Sequence, residues 1–175
     1  MSIMRKIDKK RIAMFAVLVT LSLLWMCVIF GFSSSTAEQS TVQSNAVTEF
    51  MIRIFEGDFE SLEMWEQQEL IERYDGIFRK LAHFCVYAVL GGLVYWTVGS
   101  LKSLPDEKIT PIKLSLPISV VYAISDEIHQ VFVPGRAGRI TDVLIDSAGI
   151  VSGTLAAVFV TYVLFDKLMT YKKNK

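Results

Sequence analysis

The 175-residue sequence predicts an all-α, polytopic membrane protein: four transmembrane helices, with an extracytoplasmic amphipathic helical insertion between the first and second. Three observations carry that expectation. Hydrophobic residues make up 52% of the chain, more than a soluble domain of this size needs for its core. Residues 12–37 contain no charged residue. The remaining apolar runs are separated by short polar connections and by one acidic stretch, residues 38–75.

The first span is placed at about residues 12–32. Its Leu, Val, Ile, Phe and Trp content extends over the roughly 20 residues a bilayer requires. A cleaved leader would have a shorter apolar core, about 7–15 residues, so this segment reads as a retained anchor. Residues 38–75 then carry ten acidic and two basic residues. Within them Val47, Phe50, Met51, Ile54 and Phe55 recur at helical spacing, Gly57 and Asp58 interrupt, and Leu70, Ile71, Tyr74, Ile77 and Phe78 resume it. A pair of amphipathic helices capping the membrane part is expected over 38–76. A lid on the bilayer surface is the alternative, disfavoured because interfacial helices usually carry Lys and Arg on their polar face.

The second span is expected at about 80–100, with Gly91 and Gly92 permitting close helix approach. Residues 102–113 form a polar connection. A third span of bilayer length beginning near Ile112 must run to about residue 132, which carries Asp126, Glu127 and His129 into the membrane's outer portion. Pro117 is expected in its first turns. The segment VPGRAG, Val133–Gly138, reads as a turn. The fourth span, about 141–165, opens with Asp142 and Asp146, and its Gly149 and Gly153 form a small-residue face. That face suits either the second span or another protomer in a helix–helix oligomer. Cys27 and Cys85 sit in apolar runs and are expected to pack as small hydrophobes rather than to form a disulfide. The whole chain, 1–175, is read as one domain.

Lys and Arg decide the orientation. With four spans, twelve basic residues fall on the side of the termini and six on the other, which places both termini in the cytoplasm of a multi-pass cell-membrane protein. Ser33–Ser35, Arg79, Lys80, His83, Asp126–Gln130, Asp142 and Asp146 then converge at the outer face. The net charge is zero and nothing points to a nucleic-acid partner; the bilayer itself is the expected one.

Helical spacing aligns Lys80 with His83, Asp126 with His129 and Gln130, and Asp142 with Asp146, while Glu127 faces elsewhere. Such a cluster can be a structural ion-pair network fixing helix ends through Arg79, Lys80, Arg136 and Arg139. It can equally be functional. Asp126, Glu127, His129 and Asp142 are the candidate catalytic groups, with His129 or His83 moving a proton and a carboxylate orienting it. Lys80, His83, Gln130, Arg136 and Asp146 are the candidate substrate-binding groups, the cations suiting a phosphate or carboxylate. A metal site built on His83, His129 and two carboxylates lacks a compact ligand signature, so no metal and no cofactor is expected. A non-catalytic pocket that captures a headgroup or peptide is the third possibility. Serines ending a helix are usually caps, so Ser33–Ser35 supply no clear nucleophile.

RKLAHFCVYAVLGGL (79–93) and SDEIHQVFVPGRAGRITDVLIDSAGIVSG (125–153) resemble the two signature blocks of the VanZ-like family, and Phe32–Ser35 resembles a third, weaker element. Arg139 and Thr141 depart from the family's usual small or polar residues at the turn. The resemblance implies a small bacterial envelope protein, related to one associated with low-level teicoplanin resistance. It supplies no reaction. The resulting expectation is a protein that binds or shields a lipid-linked cell-wall precursor, lipid headgroup or lipoglycopeptide. The alternative is a membrane enzyme performing acid–base or metal-assisted chemistry on a lipid-linked substrate.

Overall fold

A computed structural model describes residues 9–101 and 109–173, with side chains at 9–101 and 111–163. Residues 102–108 of the polar connection lie outside the described residues. So do Arg5, Lys6 and Lys175, and the side chains of Lys167, Lys172 and Lys173, all used in the charge count. Among the described residues every regular element is helical: α1 Lys9–Ser33, α2 Ala37–Phe55, a 3-10 turn Phe59–Ser61, α3 Met64–Gly99, α4 Ile109–Gln130 and α5 Ile140–Lys173. Three stretches are long and apolar enough to cross a membrane: Lys9–Ser33, Met64–Gly99 and Ile140–Val163. The chain is therefore a membrane protein by composition and fold. α4, diluted by Lys113, Asp126 and Glu127, is not among those three, yet it packs against α3 and α5 as a full member of the bundle.

α3 and α5 form the central seam, and small residues explain why they approach so closely. A Cβ built on Gly153 would strike the Ala88 carbonyl, and on Gly149 the Phe84 carbonyl; across the seam, one on Gly91 would strike the Ile150 carbonyl. Thr154 donates to the Gly91 carbonyl at 3.3 Å, tying the two backbones together. The Gly149–Gly153 face is thus filled by α3 of the same chain, and an oligomer seam through these glycines would have to displace that helix. Ile29, Tyr87, Leu90, Val94, Ala123 and Ile150 close the core around it.

Polar cross-links set the register of the other helices. Ser22 and Thr97 hydroxyls meet at 3.0 Å, Trp25 Nε1 donates to the Val86 carbonyl at 2.9 Å, and Tyr122 donates to the Met26 carbonyl at 2.7 Å. Each satisfies a group that would be costly to leave unpaired in an apolar surrounding. α4 begins at Ile109, so Pro117 falls in its third turn and the carbonyl one turn earlier loses its helical donor. Cys27 and Cys85 are free and exposed on outward helix faces, contrary to the expectation of packed thiols.

The insertion differs from the expected pair of separate helices. Its second half is continuous with the following span, one 36-residue α3. A capping box starts α2: Gln39 N donates to Thr36 Oγ1 at 3.3 Å and Thr36 N to Gln39 Oε1 at 3.1 Å. Three residues of the apolar stripe on α2 face outward instead of packing down, while Met51 is half-buried. Phe50 is 62% exposed, Ile54 59% and Phe55 72%, while Ile52 with Phe59 and Ile71 forms the small core that joins α2 to α3. The buried side of α2 is instead the one that carries Thr48 and Ile52.

Candidate functional site

Chain order delivers the polar residues to one end of the bundle, opposite the end where α1 begins. α1 finishes there at Ser33, α4 finishes at Gln130 and α5 starts at Ile140. Two adjoining cavities occupy that end. The first is mainly apolar, about 220 Å³, floored by Ile29 and Val86, walled by Phe32, Phe78 and Tyr87, and roofed by Ser40, Gln43, Ser44 and Val47 of α2. The second, about 240 Å³, is polar and is lined by Asp75, Lys80, Arg139 and Asp142 together with the 135–137 turn. Arg79, His83, Gln130 and Arg136 line both. An apolar chamber and a charged one thus share a wall of two guanidiniums, an imidazole and an amide.

The turn after α4 is what positions Arg136. Gly135 adopts φ +76°, a conformation that favours glycine, and a side chain there would also meet Ala37 Cβ at 2.9 Å. From that turn Arg136 spreads its three donor nitrogens: Nε to the Ser35 carbonyl at 3.1 Å, Nη1 to Gln130 Oε1 at 3.0 Å and Nη2 to the Phe32 carbonyl at 3.3 Å. These carbonyls belong to the end of α1, where a cation is favoured. Burial and the neighbouring Arg79 charge draw the Arg136 pKa below its ordinary value. Ala37 N donates to the Pro134 carbonyl at 3.2 Å, so the same turn also holds the start of α2.

Arg79 donates from Nη2 to Ser44 Oγ at 2.8 Å and to Asp75 Oδ2 at 3.0 Å. Its Nε is buried without an acceptor. Ser33 Oγ, on the apolar chamber wall, is buried and equally unpaired. His83 Nδ1 lies 3.3 Å from Asp146 Oδ1, an ion-pair contact too poorly aligned to satisfy that oxygen as a hydrogen bond. Asp146 is 1% exposed. Tyr87 donates to Asp126 Oδ2 at 2.9 Å, leaving Asp126 Oδ1 without a partner.

The remaining sequence candidates divide between the cavities and the frame. Asp126, Gln130, His83 and Arg136 line the apolar chamber; Lys80 and Asp142 line the polar one. Glu127 lines neither. It accepts from the Arg139 backbone N–H at 2.6 Å, a clasp across the turn between α4 and α5. His129 also lines neither: it stacks on Phe30 of α1 with ring centroids 4.6 Å apart and meets Ser34 Oγ at 3.3 Å. Although three residues from Asp126, it is turned toward α1. Among the described residues, no group of three or more His, Cys, Asp or Glu side chains is placed to hold a metal ion. Tyr87 and Ser44 were not singled out from the sequence. Tyr87 stands four residues after His83, on the same helical face, and that spacing was the available signal.

What the site can do follows from these contacts. It can accept an apolar chain beside cations, and its unpaired Arg79 Nε and Ser33 Oγ can each donate to an acceptor. No curated protein and no solved structure matches the chain. The family described as VanZ/LLP1 matches residues 18–163, which include all five helices' site-forming portions. The chain belongs to the VanZ/LLP1 family.

Proposed function

We propose that this membrane protein binds and shields an amphiphilic cell-envelope component in the outer leaflet: a cell-wall precursor, a lipid headgroup or an acylated glycopeptide of the teicoplanin kind. The observation that carries the reading is the shared wall of Arg79, His83, Gln130 and Arg136 between an apolar and a charged cavity. An acyl or prenyl chain gains by leaving water for the first chamber, and an anionic head gains charge-assisted hydrogen bonds at the second. In this reading α4 is the third of four spans, the α2 insertion is extracytoplasmic, and both termini are cytoplasmic. The protein is then a bacterial cell-membrane protein with the site on its outer side.

Binding to the purified full-length chain tests it. Teicoplanin should bind, and the same glycopeptide core without its acyl chain should bind at least about tenfold more weakly, since each buried CH₂ contributes roughly 0.8 kcal/mol. Equal affinity for the two would remove the apolar chamber from the account. Orientation has its own check. With Cys27 and Cys85 replaced by serine, Ser61→Cys should react in intact cells with a membrane-impermeant maleimide. Labelling only after cell lysis would reverse the topology.

One observation favours a catalytic version. Asp146 engages His83 Nδ1, which leaves Nε2 as the nitrogen available to a bound molecule at the cavity wall. Mass analysis of ligand recovered after incubation separates the versions. Unchanged ligand supports binding alone, and a modified ligand whose formation is lost in His83→Gln supports acid–base chemistry.

A further inference from the structure

The two arginines that face the cavities also help hold the cavity roof in place, alongside the Ala37 N–H bond to the Pro134 carbonyl. Arg79 reaches across from α3 to Ser44 of α2, and no other hydrogen bond joins those two helices in the part of α2 that covers the apolar chamber, among the described residues. At the start of α2, the segment between α1 and α2 is pinned through its carbonyls by Arg136, which donates to Phe32 and Ser35. The contacts of both are neutral acceptors apart from Asp75 on Arg79. A hydroxyl and backbone carbonyls compete poorly with a formally charged oxygen for a guanidinium.

We propose that the anionic part of the bound amphiphile is a phosphate ester held between Arg79 and Arg136, and that binding it releases α2 as a lid. This rests on the amphiphile-binding reading above and names its ligand class. The unsatisfied donors favour phosphate over carboxylate. Arg79 Nε and Ser33 Oγ are buried beside the cavity with no acceptor, and they belong to different helices. One guanidinium fork satisfies the two oxygens of a carboxylate, whereas a phosphate group has further oxygens for a second arginine and a hydroxyl. Asp75, Asp126 and Asp142 also face these cavities and do not reverse the balance, because Arg79, Lys80, Arg136 and Arg139 face them too and outnumber the carboxylates by one. When the phosphate takes Arg79 from Ser44 and Arg136 from the Phe32 and Ser35 carbonyls, α2 keeps its distal contacts around Ile52, Phe59 and Ile71 and, at its start, one backbone bond from Ala37 N to the Pro134 carbonyl. Once that single bond breaks, α2 swings from its distal end and opens the roof.

Hydrogen exchange on the full-length chain in uncharged detergent tests both halves. The probes are oleyl phosphate, oleyl alcohol and inorganic phosphate. Oleyl phosphate should bind at least about tenfold more tightly than oleyl alcohol, the effect of one charge-assisted contact set, and should speed amide exchange over residues 37–47 while leaving 50–55 unchanged. Inorganic phosphate at the same concentration should do neither, because the apolar chamber supplies much of the affinity. Equal binding of the alcohol and the phosphate would overturn the phosphate site while leaving the amphiphile reading intact. Tight phosphate binding with unchanged or slower exchange over 37–47 would overturn the lid. Exchange speeded by inorganic phosphate alone would assign the site to a free anion and overturn the lipid source. Failure of both oleyl compounds to bind would overturn the underlying reading. Ser44→Ala removes the latch without touching either cation. It should raise exchange over 37–47 in the unbound protein and tighten oleyl phosphate binding roughly fivefold; no change in either quantity would show that Ser44 is not a latch.

Discussion

Gly153→Leu is expected to leave almost no folded protein, whereas Gly31→Leu should behave as the unaltered chain. A side chain at Gly153 collides with the Ala88 carbonyl, and backbone cannot rotate aside as a side chain would. Gly31 has nothing within 4 Å, so it controls for added bulk in an apolar helix. Overpacking a well-filled core typically costs about 1–3 kcal/mol. Here the clash lies on the seam between the two longest helices, so the loss should reach or exceed the top of that range. Thermal unfolding of purified protein, with membrane abundance as a second readout, measures it. A Gly153→Leu protein that melts with the unaltered chain would mean that α3 and α5 do not meet along this face.

The second large effect is expected at the pair between the same two helices. His83→Ala should destabilise the protein by about 3–5 kcal/mol, because it strands a carboxylate that is 1% exposed beside an imidazole-sized gap. Replacing both residues with leucine should recover most of that loss, since apolar residues of similar volume can substitute for a buried pair. His83→Leu and Asp146→Leu, each measured alone, close the cycle with that double variant and isolate the coupling. Additive losses in the double variant would show that His83 and Asp146 are not partners. Recovery of stability without recovery of ligand binding would separate the pair's structural role from its place on the cavity wall.

Much of this architecture was legible because uninterrupted apolar runs have few alternatives. Residues 12–32 contain no charge, and a helix there needs no tertiary information to be recognised. Convergence of the polar blocks was legible for a similar reason, since antiparallel helices joined by short turns must bring 79–83, 126–130 and 142–146 to one end. The direction of individual side chains was not. His129 shares a helical face with Asp126 by spacing, yet stacking on Phe30 draws it toward α1, and only the placement of α1 decides that. The stripe Val47, Phe50, Ile54 and Phe55 illustrates the same limit. Periodicity reports that an apolar face exists but not which body covers it, and here Ile52 faces the core instead. The continuity of α3 was hidden by composition: acidic residues 63–75 read as part of a separate surface segment, although nothing in them breaks a helix. Tyr87 was obscured by its apolar neighbours, and Arg79, expected beside carboxylates, does pair with Asp75 but also donates to Ser44, which no spacing announced.

α3 has a mechanical consequence. Its 36 residues make a rod of about 54 Å, against a hydrocarbon thickness of about 30 Å. More than two-fifths of its length, roughly 24 Å, therefore exceeds the hydrocarbon as a mast, with Met64 and Trp65 at its tip. Arg79 and His83 sit near the point where such a mast leaves the bilayer. The small core around Ile52, Phe59 and Ile71 and the cavity wall at Arg79 and His83 are thus carried on one unbroken helix, without any joint in between.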